Sequence, residues 1–293
     1  MVIGDWTVQS PITNHDMLHL LQLEWKKQKG YILFRLLAIA YFILMPAVLL
    51  ALKKIFDNNY PDGGAGDALP FDPRKMLVQF PTVWNWFGYI GNWLVFFVLG
   101  FLAVLLITNE HSNRTLRQNI ITGLHRTEFF LSKLYFMFAI SLAATVYYAL
   151  CSLAIGFSHT ETIYTSTVLK NWDMMPRYFL MCLGYMSFGL LIGALVKRMG
   201  IALFVYLAYV IFLEPVLRWA VHFNYFKNEY FKYYPLNMIE DLCPVPFFDQ
   251  ADNFLKQNNF TLFLPASHAV IGASICIALF FWLTHRRLKT GDL

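Results

Sequence analysis

The chain has 293 residues and a formal net charge of +5, and 58% of its residues are hydrophobic, 18% aromatic and 14% charged. Soluble domains carry about a quarter charged residues, so this composition excludes an ordinary water-soluble fold. The charges are also clustered, and the long uncharged stretches between them indicate a membrane protein.

The first predicted element is an amphipathic helix at about residues 14–30. Apolar side chains recur there at helical spacing, and lysines follow directly before the first long apolar run (Met17, Leu18, Leu20, Leu21 and Trp25; Lys26, Lys27 and Lys29). Such a helix can lie in the cytoplasmic membrane interface, with the Trp at headgroup level and the lysines facing anionic lipid. A positively flanked start of a membrane helix would explain the same residues equally well.

Six stretches are predicted to cross the membrane. A helix needs about 20 apolar residues to cross roughly 30 Å of hydrocarbon, and the uncharged runs of this chain reach or approach that length. The predicted spans cover about residues 31–53, 86–108, 132–156, 175–196, 200–222 and 264–284. The fold class is therefore all-α integral membrane, with a single transmembrane domain over residues 1–293.

The distribution of Lys and Arg predicts the orientation. With six spans, both termini and the loops after spans 2 and 4 share one side, and that side has a clear excess of basic over acidic residues. The positive-inside rule then places both termini in the cytoplasm. The net charge is explained by topology, so no nucleic-acid partner is expected.

A second amphipathic helix is predicted between spans 2 and 3, at about residues 113–123. Its apolar side chains share one face, its basic side chains point elsewhere, and a glycine stands where a helix would end (Leu116, Ile120 and Ile121; Arg114 and Arg117; Gly123). A short helix of this kind on the cytoplasmic side presents a surface to a partner. The alternative is that it lies on lipid.

Glu214 is the acid placed well inside an apolar run. It lies about 15 residues beyond Met199, or roughly 23 Å along a helix, which corresponds to the outer leaflet. Intramembrane acids are candidates for a functional role, here in a substrate pathway. The structural alternative is an ion pair with Arg218 where the helix breaks or kinks, since Pro215 follows directly.

The long outer loop at about residues 223–262 is rich in aromatic residues and prolines. An open loop with so many large apolar side chains would expose a patch that seeks lipid or protein. We therefore expect apolar re-entrant segments between spans 5 and 6, packed against the outer ends of the spans.

Catalytic and nucleotide-binding motifs are absent from the sequence. It contains no Gly-x-x-x-x-Gly-Lys-Ser/Thr phosphate loop, no His-Glu-x-x-His motif and no Cys/His cluster. We therefore expect no cofactor or metal in this chain, and no catalytic activity of its own.

The segment at residues 109–133 resembles the permease subunits of type-2 ATP-binding-cassette transporters. In that family a glutamate ends the second span, a threonine-containing coupling helix follows, and an arginine, aromatic residues and a lysine open the third span. The matching residues here are Glu110, Arg114-Thr115-Leu116-Arg117, Arg126, Phe129-Phe130 and Lys133. The six spans, the N-terminal helix and the re-entrant segments extend the similarity to nearly the whole chain.

The resemblance implies a permease, and in most such systems an exporter, in the plasma (inner) membrane. It implies a dimer with a second permease subunit, identical or not, and two cytoplasmic ATPase subunits that bind the ATP. The ATPase-coupling residues would be Glu110, Arg114, Thr115, Leu116, Arg117, Ile120, Gly123, Arg126 and Lys133. Membrane lipid is the remaining expected partner.

Two other classes stay open. A secondary transporter would show buried charges near the midplane and broken helices in matching halves, to which Glu214-Pro215 has no counterpart in the first half. An integral-membrane enzyme would need His, Asp or Glu residues that converge at one depth, and the sequence shows no such set. The substrate is not indicated.

Overall fold

The computed structural model describes residues 14–59, 73–112, 126–226, 229–246 and 263–290, and within these ranges the chain is helical with no strand. An N-terminal helix (Asn14–Gly30) precedes six helices that are long and apolar enough to cross a membrane. Numbered as spans 1 to 6, they are Ile32–Asn59, Val83–Ser112, Arg126–His159, Met174–Val196, Met199–Phe226 and Ala266–Thr290. The all-α membrane class is confirmed, and several helices extend beyond the predicted spans.

Spans 2 and 4 form the centre of the bundle and are buried along most of their length. Two glycines of span 4 allow this close packing. A Cβ atom at Gly189 would lie 2.6 Å from the carbonyl oxygen of Gly100, and one at Gly193 would lie 2.4 Å from Cγ2 of Ile107. Small residues four positions apart let two helices approach closely, which matters in lipid because burial of apolar surface does not drive helices together there.

The other spans each bury one stripe and expose the rest. Span 1 buries Tyr41, Met45 and Leu49, which repeat every four residues, while Leu36 and Ile43 are exposed. Lipid tails are as apolar as these side chains, so an exposed apolar surface is the expected outer face of a membrane bundle.

Span 5 continues through Glu214 and Pro215, so the helix does not break at the predicted break or kink. The helix is instead wound as π-helix at Tyr209–Leu213 and again at Val216–Phe226. Proline lacks an N–H and clashes with the carbonyl one turn earlier in an α-helix. Wider π-helical turns on both sides accommodate it without ending the helix.

A short helix, Pro235–Glu240, follows span 5 and is buried on most of its surface. We call it the outer helix, because the sequence predicts that this end of the bundle faces the outside. Ile239 fills the space above Gly184 of span 4, and Met238 fills the space above Gly272 of span 6. The outer helix is thus wedged among the outer ends of the spans. Its depth in the bilayer, and hence the re-entrant character expected from the sequence, stays a prediction.

The predicted coupling helix at residues 113–123 lies outside the described residues. The structure describes the two ends that flank it: Ser112 at the end of span 2 and Arg126 at the start of span 3. The predicted interfacial helix at 14–30 corresponds to the N-terminal helix, which packs along span 3.

Candidate functional site

The most tightly built polar site lies where the N-terminal helix meets spans 2 and 3. The Nζ atom of Lys133 lies 2.7 Å from Oε2 of Glu24 and 2.8 Å from Oε1 of Glu110. Lys27 completes the set, with its Nζ 3.2 Å from the same Glu110 oxygen and 3.6 Å from Oε1 of Glu24. We refer to Glu24, Lys27, Glu110 and Lys133 as the ion cluster.

Each member of the ion cluster is placed by a different local pattern. Leu20, Glu24 and Gln28 are buried and repeat every four residues, so one stripe of the N-terminal helix faces the bundle. Glu110 stands in the last turn of span 2, and Lys133 stands two turns into span 3. The hydroxyl of Ser132 adds a hydrogen bond of 3.3 Å to Oε1 of Glu24.

The ion cluster is almost fully removed from water. The side chain of Lys133 is 0% exposed, those of Glu24 and Glu110 are 3% and 5% exposed, and only Lys27 reaches the surface. Within the cluster, each of the two carboxylates contacts both ammonium groups. A buried cation is tolerated when it is paired and hydrogen-bonded in this way. Every contact except Lys27–Glu24 joins different helices, so the cluster ties three elements together.

The neighbouring residue Arg126 makes a second anchor, to the end of span 6. Its Nη1 atom donates hydrogen bonds to the carbonyl oxygens of Leu288, at 3.1 Å, and Lys289, at 2.8 Å. Residues 113–125 therefore connect the end of span 2, beside the ion cluster, with Arg126, which is bonded to the end of span 6.

Of the residues predicted to couple to an ATPase, the structure describes three, and Glu110 and Lys133 are in direct contact. Arg126 lies at the nearby start of span 3. The remaining six, Arg114, Thr115, Leu116, Arg117, Ile120 and Gly123, lie outside the described residues.

Three residues of this site were not predicted from the sequence: Glu24, Lys27 and Ser132. Lys27 was expected to face anionic lipid with its neighbours, but it faces Glu110 instead. The spacing of Glu24 could have indicated its role in the site, because it lies four residues after Leu20 and four before Gln28, on the buried stripe of the helix. An acid on such a stripe requires a partner, and Lys133 is the nearest buried cation.

The sequence profile of the family described as ABC-2 family transporter protein matches residues 20–213, well over half of the chain. The chain belongs to this family. It is an ABC-2 type permease, an integral membrane component of an ABC transporter. No curated protein matches the sequence. The matched range contains every member of the ion cluster and ends directly before Glu214.

Glu214 of this permease is only 3% exposed, and its partner differs from the one expected. Its Oε1 accepts a hydrogen bond of 2.7 Å from the backbone N–H of Asn237, in the first turn of the outer helix. The ion pair of Arg218 is with Glu240, at 3.9 Å, so the predicted pairing with Glu214 is wrong. π-Helical winding between the two residues changes the angle that α-helical spacing assumes.

The outer helix also holds a buried acid next to its end. Oδ2 of Asp241 accepts hydrogen bonds of 3.1 Å from the Asn237 side chain and from the backbone N–H of Leu264. Burial raises the pKa of Asp241 to about 7, against the opposing effect of the Leu264 N–H. Together with Glu214, this acid joins the outer helix to spans 5 and 6.

A cavity of about 170 Å³ opens beside this region in the outer half of the bundle. It is bounded by spans 2, 4 and 5 and the outer helix, and its polar lining residues are Asn92, Arg218 and Glu240. Asn92 is buried, and its Oδ1 has no hydrogen-bond partner among the described residues. Pro215 lines the cavity, whereas Glu214 is not among its lining residues.

Proposed function

We propose that this chain is the membrane-spanning subunit of an ATP-driven exporter whose ATPase is a separate cytoplasmic polypeptide. The observation that carries the proposal is the ion cluster, because it joins the N-terminal helix, span 2 and span 3 beside the segment expected to meet the ATPase. Membership of the ABC-2 family supports the transport role. ATP would be bound and hydrolysed on the partner subunit.

The proposed coupling works as a lever. The predicted helix at 113–123 docks on the ATPase through Leu116 and Ile120, and closure of the ATPase displaces it. Energetic coupling needs an element that responds as a unit at both ends. The ion cluster and the Arg126 anchor supply that rigidity, since they fasten both ends of the segment to the spans.

The proposed substrate path passes through the outer cavity between spans 2 and 5. Glu214 holds the wall of this path by its bond to the outer helix and does not contact the substrate. A second permease subunit, identical or not, would complete the path. Both termini lie in the cytoplasm and the complex resides in the plasma (inner) membrane, as the distribution of Lys and Arg predicts.

Two double variants would test the coupling proposal. Replacing Leu116 and Ile120 by Asp puts charges into an apolar contact, so co-purification of the ATPase should fall. Replacing Glu110 by Gln and Lys133 by Met removes one charge of each sign and leaves Glu24 paired with Lys27 at 3.6 Å, so the ATPase should stay bound while substrate-stimulated ATP hydrolysis falls. Unchanged association in the first variant would favour a helix that lies on lipid.

Labelling of single cysteines in sealed cells would test the orientation. An impermeant maleimide should react at Gly64→Cys and Gln250→Cys, and should fail at Asn119→Cys and Thr290→Cys. The four native cysteines are first replaced by Ala or Ser. Reaction at Asn119→Cys from outside would overturn the proposed topology.

A further inference from the structure

A second cavity lies between the N-terminal helix and span 3, beyond the pair of Glu24 and Lys133. Its volume is about 310 Å³, which is within the usual range for ligand pockets. The N-terminal helix contributes Leu21, Trp25 and Lys26, and span 3 contributes Phe136, Ala139 and Ala143. We call this cavity the lateral groove.

The walls of the lateral groove are apolar and fixed in place. The ring of Trp25 meets Phe34 edge to face, with 6.0 Å between ring centroids, and lies 6.3 Å from the ring of Phe136. The two alanines on span 3 leave space where larger side chains would fill the groove. From Phe136 to Ala143 the helix rises about 10 Å, enough for a segment of alkyl chain.

The rim of the lateral groove carries a positive charge at its cytoplasmic end. Lys26 is exposed and follows directly after Trp25, whose ring reaches Phe136. Among the residues that the structure describes, no acid forms an ion pair with Lys26, whereas Lys27 is occupied by the ion cluster. Basic residues beside a membrane surface attract anionic headgroups.

We infer that the lateral groove binds one anionic phospholipid of the cytoplasmic leaflet. Lys26 contacts the phosphate-bearing headgroup, Trp25 lies at the level of the headgroup, and an acyl chain follows span 3 past Ala139 and Ala143. The amphipathic position of Trp25 fits the boundary between polar and apolar parts of a lipid. Lipid binding in the lateral groove is a property of the permease alone and requires no ATPase.

Occupancy of the lateral groove would affect the ion cluster. Glu24 and Trp25 are adjacent, so the N-terminal helix presents the cluster on one face and the lipid on another. A bound lipid would hold this helix against span 3 and favour the geometry in which Lys133 is paired. Anionic lipid therefore acts as a structural ligand of the coupling region.

Native mass spectrometry of the purified chain would test this inference. The chain is exposed to an equimolar mixture of phosphatidylglycerol and phosphatidylcholine in detergent, and the retained lipids are counted. Lys26→Gln should lower the preference for phosphatidylglycerol about fivefold, as expected for one lysine near a membrane surface. Ala139→Leu should lower the retention of both lipids by filling the groove.

Matched controls distinguish a site from a general surface effect. Lys29→Gln removes another exposed lysine of the same helix, and Ala47→Leu adds the same bulk on the exposed face of span 1. Both should retain lipid as the unmodified chain does. If Ala139→Leu fails to fold, Ala143→Leu serves instead, because Ala143 is exposed.

Three outcomes would overturn the inference. An equal effect of Lys29→Gln and Lys26→Gln would indicate diffuse attraction to the basic helix. Full lipid retention in Ala139→Leu and Ala143→Leu would show that no acyl chain enters the lateral groove. A change of oligomeric state in those variants without a change in lipid retention would assign the groove to a second copy of the chain.

Discussion

Removal of the buried ammonium group of Lys133 should strongly destabilise the permease. In Lys133→Met the carboxylates of Glu24 and Glu110 lose contacts of 2.7 Å and 2.8 Å in a site closed to water. Loss of one partner from a buried ion pair costs about 3–5 kcal/mol, since the other partner is left charged and unpaired. Lys27 also contacts both acids, at 3.6 Å and 3.2 Å, which favours the lower end of that range.

The assay is thermal unfolding in detergent, followed by size-exclusion chromatography of heated samples. A loss of 3–5 kcal/mol corresponds to a fall of roughly 6–20 °C in the midpoint. The matched control is Lys53→Met, which removes a lysine from an i, i+4 pair with Asp57 on the surface. Exposed pairs contribute about 0–1 kcal/mol, so this control should change the midpoint by no more than a few degrees.

The triple variant Glu24→Gln, Glu110→Gln and Lys133→Met gives the second part of the test. It removes the uncompensated charges, so its midpoint should be higher than that of Lys133→Met alone. Lys27 is partly exposed and can be solvated without its partners. Equal midpoints for Lys133→Met and Lys53→Met, or a triple variant less stable than Lys133→Met, would refute the proposed electrostatic role of the cluster.

Three further predictions concern other parts of the bundle and use the same thermal assay. Gly189→Ala should lower the midpoint, because its Cβ would lie 2.6 Å from the carbonyl oxygen of Gly100; an unchanged midpoint would contradict the close packing of spans 2 and 4. Burial raises the pKa of Asp241 to about 7 in the folded state, whereas an aspartate ordinarily has a pKa of about 4. Between these two pH values the folded protein holds a proton that the unfolded chain has released. Stability should therefore fall as the pH rises from 5 to 7, by up to about 1.4 kcal/mol per unit, and Asp241→Asn should flatten that slope. Glu214→Gln can still accept the hydrogen bond from the Asn237 N–H, so it should cost little stability. Glu214→Leu leaves that buried N–H unpaired and should cost about 1–3 kcal/mol. Reduced transport in a stable Glu214→Gln variant would instead indicate that the acid contacts the substrate.

The membrane fold could be predicted from the sequence because it depends on local composition. Long uncharged runs have few alternatives to a spanning helix, since every backbone polar group in lipid must be paired within the segment. The fifth predicted span corresponds to one continuous helix, with the acid at residue 214 inside it. Helix ends were less accurate, because polar flanking turns extend beyond the hydrocarbon and carry no apolar signal.

The partners of charged residues were harder to predict, because they depend on how distant helices are arranged. Lys27 was expected to face anionic lipid together with Lys26 and Lys29, and nothing in the sequence showed that it meets Glu110 across 83 positions. The partner of Glu214 is a backbone N–H at Asn237, a group that every residue except proline has and that sequence patterns cannot single out. The π-helical turns of span 5 then removed the i, i+4 relation on which the predicted pair with Arg218 rested.

Co-purification from native membranes, followed by an ATPase assay, tests the proposed function most directly. An affinity-tagged chain is extracted in mild detergent, its partners are identified by mass spectrometry, and the complex is reconstituted into liposomes. A cytoplasmic ATPase with a phosphate loop should be recovered, and the complex should hydrolyse ATP in a vanadate-sensitive manner. A chain that purifies without an ATPase and transports its substrate on an ion gradient alone would contradict the proposal.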